Sequence, residues 1–218
     1  MVTVGTMTDS KVTMFFDATC PFAWVTSRWL VEVEKVRDIT IDWVPMSLGV
    51  LNAGREGLDE GYKDRLKFAW APARVAAAVF TEAPEKVGAF YTALGNRIHN
   101  DKRISYEDIH ANDDLIKESL EEAGAPAELF EAAYKGLDED GSYEQQLRDS
   151  HQRAIDLVGN DVGTPVVQLG DKAFFGPVLT RVPKGEEAGE IFDAAMVLGG
   201  HPHFFELKRS RTEDPIAE

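Results

Sequence analysis

The sequence predicts an α/β fold in which a β-α-β unit and a β-β-α unit share one sheet and flank a large all-helical insertion. Three observations point there. A short apolar strand runs through Phe15-Phe16 to Cys20-Pro21, where a long helical pattern begins. Residues 58–158 are rich in Ala, Glu, Lys and Leu at helical spacing and carry no strand signal. Strand patterns return at Pro165, and a closing helix follows. These boundaries assign residues 1–54 and 156–218 to the sheet-bearing domain and residues 55–155 to an inserted helical domain.

In chain order, residues 1–11 are polar and expected to be loose, and residues 12–16 read as a buried strand. A helix is expected over 21–37, with Trp24, Arg28, Val31 and Lys35 on successive turns. The β-branched stretch 39–48 (ITIDWVPMSL) is the second strand, and short joins make the unit a right-handed βαβ crossover. Pro45 marks an edge strand, a bulge or the strand's end. Within the insertion, helices are expected over 62–70, from Pro72 to about 83, and over 84–99. Another runs from the capping signal Ser105-Tyr106-Glu107-Asp108 to 123, closed by Gly124. A short helix over 126–135 and a long one over 142–158 complete the set. Strands at 165–169 and 172–175 are joined by the tight turn Gly170-Asp171, and an amphipathic helix spans 186–198.

The 218 residues suffice for a core without covalent staples. One cysteine, Cys20, cannot make an internal disulfide, and no secretory leader is legible before Asp9. No apolar run is long enough to span a bilayer, so a reducing cytoplasm is the expected location, with no membrane partner. The formal net charge of −15 argues against nucleic acid as a partner, because phosphate binding needs a basic footprint. No HExxH or Cys/His cluster occurs, so no metal site is expected; His201-Pro202-His203 reads as a tail anchor. With neither a G-x-G-x-x-G after a strand nor a P-loop, no bound nucleotide or flavin is expected.

Cys20 is the residue with chemistry to offer. Backbone N–H groups at a helix start are unsatisfied and carry partial positive charge, which favours a thiolate over a thiol. Pro21 fits the first turn, where its missing N–H costs nothing. The competing reading is a buried, inert cysteine.

The element order, together with Cys20-Pro21-Phe22-Ala23, Val162-Gly163-Thr164-Pro165 and the hairpin Gly170-Asp171-Lys172-Ala173-Phe174-Phe175-Gly176, resembles the thioredoxin fold with its helical insertion, as in the DsbA-like group. The stretches TSRWLVEVEKVRDI, GNRIHN, VGTPVV, FFGPVL, GEEAG and HPHFFELKR are similar to the mycothiol-dependent reductases of mycothiol-producing bacteria. That resemblance implies a thiol–disulfide oxidoreductase with mycothiol as thiol cosubstrate and S-mycothiolated proteins or small mixed disulfides as partners. Family members often carry Cys-Pro-x-Cys, and here Ala23 takes the fourth position. Cys20 therefore has no internal resolving thiol, which implies a monothiol cycle resolved by external mycothiol. Ala23 is either natural or a Cys→Ala replacement that traps a mixed disulfide.

The resemblance also implies a substrate surface. Pro165 is expected to be cis, presenting the backbone of Thr164 to an extended substrate beside Cys20; the alternative is an ordinary turn proline. Pro21 and Phe22 flank the thiol as a contact surface, with Trp24 either beside them or in the core. Asn96, Arg97 and His99 offer hydrogen bonds to a sugar-bearing thiol, or else cap a helix. Asn52 is expected in the same cleft, with Tyr62 and Trp70, while Arg28 reads as a solvated helix charge. Asp17 either accepts a proton from Cys20 or opposes its ionisation. Two other functions stay open: a mycothiol-dependent transferase or isomerase resembling the kappa-class group, and an S-mycothiolated client-binding or sensor module.

Overall fold

A computed structural model describes residues 10–217, so the expectation of loose polar residues at the N-terminus falls mostly outside the described residues. Strand β1 (Ser10–Phe16) leads through a turn to helix α1 (Pro21–Val33), which returns to strand β2 (Ile39–Pro45). Helix α1 stops short of the expected 37, because the chain turns after Val33 to reach β2. β2 lies parallel to β1 at the sheet edge, and Pro45 is its last residue, where a missing N–H interrupts no ladder. Strands β3 (Val166–Leu169) and β4 (Lys172–Phe175) pair antiparallel, giving the order β2-β1-β3-β4. The Gly170-Asp171 turn joins them, with Gly170 at φ 61, a left-handed value that favours glycine.

The period of two along β1 sorts the core into two layers. Val12, Met14 and Phe16 lie on one face and share a core with Trp29 and Leu30 of α1 and Ala188 and Phe192 of α7 (Glu186–Gly199). Trp29 ties these helices together by donating its Nε1–H to the Ala188 carbonyl at 3.0 Å. Phe15 points the other way, with Val44 and Val166, against Ala154 of helix α6 (Glu144–Val158).

Between β2 and β3 the chain is helical throughout its regular elements: α2 (Leu48–Asn52), α3 (Glu60–Glu82), α4 (Val87–Gly95), α5 (Asp113–Ala123) and α6, joined by tighter turns. Two expectations are corrected here. The short α2 was not foreseen; its start is held by the Ser47 side chain and by Asp17. Residues 60–82 form one helix with Pro72 inside it, where two helices were expected. Buried alanines and valines on both sides of Pro72 pack α3 against its neighbours, and that packing outweighs the one backbone bond the proline forfeits.

α4 continues directly into a single π-helical turn, Asn96–Asn100. An aromatic cluster joins this region to the sheet. Phe16 stacks on Tyr91 at 3.8 Å between centroids, and Trp24 and Trp43 meet the same tyrosine edge-on at 5.6 and 5.8 Å. The helical insertion is thereby packed against the beginning of α1, which is where Cys20 lies. Among the described residues no helix is long and apolar enough to cross a membrane.

Candidate active site

Cys20 occupies the N-cap of α1, with Pro21 at the first helical position. Its backbone is extended (φ −80°, ψ 115°), and its carbonyl accepts from the Trp24 N–H at 3.0 Å, so the helix begins at the thiol as the sequence indicates. The Cys20 N–H donates to the Asp17 carbonyl at 3.0 Å, closing the turn after β1. The thiol is 6 % exposed and donates to the Thr164 carbonyl at 3.5 Å. The Thr164-Pro165 peptide bond is cis, in agreement with expectation. The Thr164 hydroxyl donates to the Phe15 carbonyl at 3.2 Å and accepts from the Asp17 N–H at 3.3 Å. The end of β1, the start of α1 and the approach to β3 thus meet at one sulfur.

The thiol is not easily ionised in this arrangement, and that corrects the expectation drawn from its place at a helix start. Burial pushes the Cys20 thiol up to about 12; the Ala23 N–H opposes this, Asp17 adds to it, and the Phe22 N–H opposes it again. The helix donors act as foreseen, but the sulfur they act on lies out of water, where a charge is costly. Asp17 is itself buried. Its carboxylate accepts from the Thr19 N–H and hydroxyl at 2.9 and 2.7 Å and from the Leu48 N–H at 2.7 Å. Burial outweighs these three bonds and raises its pKa.

The dense polar turn at 96–100 divides in two. His99 reaches the site: its Nε2 lies 2.9 Å from the Ala18 carbonyl, and its ring stacks on Trp24 at 5.7 Å. A carbonyl only accepts, so Nε2 carries the proton, and burial lowers the His99 pKa to about 4. His99 is therefore neutral and supplies no positive charge to Cys20. Asn100 accepts from the Trp24 indole N–H at 3.1 Å and donates to the Asn96 side chain at 3.0 Å. Arg97 turns away, donating to Glu118 and Glu122 at 3.2 and 2.7 Å on α5. Trp24 is 1 % exposed and belongs to the core, so it offers no substrate surface. The structure brings only His99 of this trio, Asn96, Arg97 and His99, against the Cys20 turn.

Asn52, on α2, is buried and donates to the Leu48 carbonyl (2.8 Å) and the Tyr62 hydroxyl (3.4 Å). Tyr62 is partly open, and its pKa is raised by burial, then by the nearby Asp17 and Cys20. Trp70 lies under the guanidinium of Arg74 at 5.0 Å and close against Gly49. Arg28 is not the solvated charge expected. It covers Trp24 at 4.2 Å and donates to Thr92 and Ser27, both at 3.1 Å. Its Nη2 and the Tyr91 hydroxyl are buried with no hydrogen-bond partner among the described residues.

Phe22 is half-buried and Pro21 exposed, and they form one side of a groove of about 490 Å³. The other side is the C-terminal segment, residues 211–215, whose Arg211 guanidinium lies 4.7 Å above the Phe22 ring. Sequence reasoning missed this wall, because nothing local marks a segment that returns from 190 residues away. Among the described residues no group of His, Cys, Asp and Glu is placed to hold a metal ion.

Residues 19–209 match the model of a family described as Rv2466c-like, the mycothiol-dependent nitroreductase Rv2466c. The chain belongs to this family. The chain is also similar to the uncharacterized protein Rv2286c of Mycobacterium tuberculosis (strain ATCC 25618 / H37Rv), 28% identical over 205 residues that cover 93% of this chain and 83% of that one. Solved structures share the fold. DsbA oxidoreductase from Xylella fastidiosa superposes with TM-score 0.52 at 16% identity, over 88% of this chain and 86% of that one. A 2-hydroxychromene-2-carboxylate isomerase gives 0.54 at 16% identity, over 87% and 95%. The fold is thus the DsbA-like thioredoxin fold with a helical insertion. Cys20, His99 and Thr164-Pro165 lie inside the Rv2466c-like match; Asp17 precedes it and the 211–215 wall follows it.

Proposed function

We propose that this Rv2466c-like protein is a monothiol thiol–disulfide oxidoreductase that removes mycothiol from mixed disulfides in a reducing, cytoplasmic compartment. The observation that carries the reading is the contact of the Cys20 sulfur, at the start of α1, with the Thr164 carbonyl at 3.5 Å. A strand-like substrate laid along Thr164 would bring its disulfide to that sulfur.

In the first step the Cys20 thiolate attacks the mycothiol sulfur of the mixed disulfide. A Cys20–mycothiol disulfide forms, the client–mycothiol bond breaks, and the client leaves as a thiolate that takes up a proton. In the second step the thiolate of another mycothiol attacks the mycothiol sulfur of the adduct. Cys20 is regenerated and mycothiol disulfide departs, carrying the two oxidising equivalents. With Ala23 at the fourth position of the motif, no step passes through an internal disulfide.

Burial is the largest cause of the raised Cys20 pKa, whereas the Phe22 and Ala23 N–H groups lower it. Admitting water and substrate to the sulfur removes the first effect and keeps the second, so access and activation go together. Reduction of a nitro group, the activity in the family's description, would require two external thiols for every two electrons here. Thiol exchange needs only the one thiol the chain has. Replacing Cys20 by Ser should abolish turnover of a mycothiol mixed disulfide, at least a thousandfold by the order of magnitude lost with a catalytic nucleophile. Full activity in Cys20→Ser would refute the reading.

A further inference from the structure

The polar turn expected to receive the sugar-bearing part of the cosubstrate is occupied with its own contacts. Asn96 pairs with Asn100, Arg97 with Glu118 and Glu122, and His99 with the Ala18 carbonyl. The groove at the start of α1 is differently furnished. It opens at Pro21 and Phe22, the two residues that follow the thiol, and is closed by residues 211–215. Its volume of about 490 Å³ is in the range of a small-molecule site.

The far wall is a built feature. Glu213 accepts from the Arg181 guanidinium at 2.8 Å and from the Thr180 hydroxyl at 2.7 Å, and the Ile216 N–H donates to the Thr180 carbonyl at 2.7 Å. This anchoring leaves Arg211 and Asp214 facing the groove without a charged partner among the described residues. A guanidinium and a carboxylate beside an aromatic face suit a polyhydroxylated ligand: the cation donates to hydroxyl oxygens, the carboxylate accepts from hydroxyl hydrogens, and the ring covers C–H surface.

We propose that the groove between Phe22 and residues 211–215 binds the sugar portion of the thiol cosubstrate, with Arg211 and Asp214 as its specificity-determining residues. The inference rests on the proposed mycothiol chemistry at Cys20 and adds where the cosubstrate's sugars lie. In this arrangement the thiol end of the ligand reaches Cys20 past Pro21, and the hydroxyl-rich end lies against the C-terminal segment.

The test compares two small mixed disulfides of thionitrobenzoate, one with mycothiol and one with N-acetylcysteine, which has no sugar. Arg211→Ala and Asp214→Ala should each slow reaction of the mycothiol disulfide about tenfold, the loss typical of one charge-assisted hydrogen bond, through KM with kcat retained. Reaction of the N-acetylcysteine disulfide should stay within about twofold of the unaltered protein. Both side chains are exposed, so unchanged unfolding midpoints should accompany the effect. Equal losses with both disulfides would mean that the segment only shapes access to Cys20, and no loss would mean that the sugars bind elsewhere; either overturns the proposal. If the unaltered protein forms no adduct with either disulfide, the thiol-exchange reading fails and this inference fails with it.

Discussion

The position of Cys20 was legible from Pro21 and the helical pattern behind it, but its protonation state was not. A helix start favours the thiolate, and this feature is local in sequence. The opposing burial comes from residues far away, including Thr164 at 3.5 Å, and it prevails. With a pKa near 12, about one resting molecule in 10⁵ carries the thiolate at pH 7. Alkylation of Cys20 by iodoacetamide should therefore be slow at neutral pH and rise about tenfold per pH unit from 7 to 10. A plateau reached below pH 8 would show an acidic resting thiol and contradict the burial argument. Asp17 illustrates the same limit. Its nearness to Cys20 was visible, yet its bond to Leu48 at 2.7 Å, which fixes the start of α2, depends on a contact between segments 31 residues apart.

At the scale of elements, the strands and most helices follow from patterns that need only neighbours in sequence. A short apolar run gave β1, a glycine turn gave the β3–β4 hairpin, and Gly124 ends α5 in the left-handed region at φ 62. Pro72 shows where such reading stops: a proline is a strong local signal for a break, and tertiary packing along α3 overrides it. The seating of α4 on α1 was equally hidden. A Cβ added at Gly95 would lie 2.3 Å from the Trp24 ring, so the close approach of these helices requires glycine there. Gly95→Ala should destabilise the protein by about 1–3 kcal/mol in urea unfolding, the usual cost of overpacking a core. It should also displace Trp24 from His99, seen as a change in tryptophan fluorescence in the folded state. An unchanged midpoint and spectrum would mean that α4 is free to shift away.

At the scale of the molecule, the thioredoxin-like sheet supplies the thiol and the Thr164 carbonyl, the insertion supplies the His99 and Trp24 packing, and the C-terminal segment supplies the groove wall. The first was open to sequence reading because Cys20-Pro21 and Gly163-Thr164-Pro165 are motifs in the chain; of the second, the polar turn at 96–100 was visible, but not which of its residues meets Trp24. The third was not, since Arg211 meets Phe22 only through folding, and single charged residues in a tail look the same whether they are solvated or engaged. The central claim is that these parts serve a one-cysteine cycle of attack and release. Intact-mass analysis after incubation with a mycothiol mixed disulfide, and again after excess mycothiol, tests it directly. The account predicts one mycothiol adduct, located on Cys20, that disappears in the second step. Absence of the adduct, or an adduct that excess mycothiol does not remove, would contradict it.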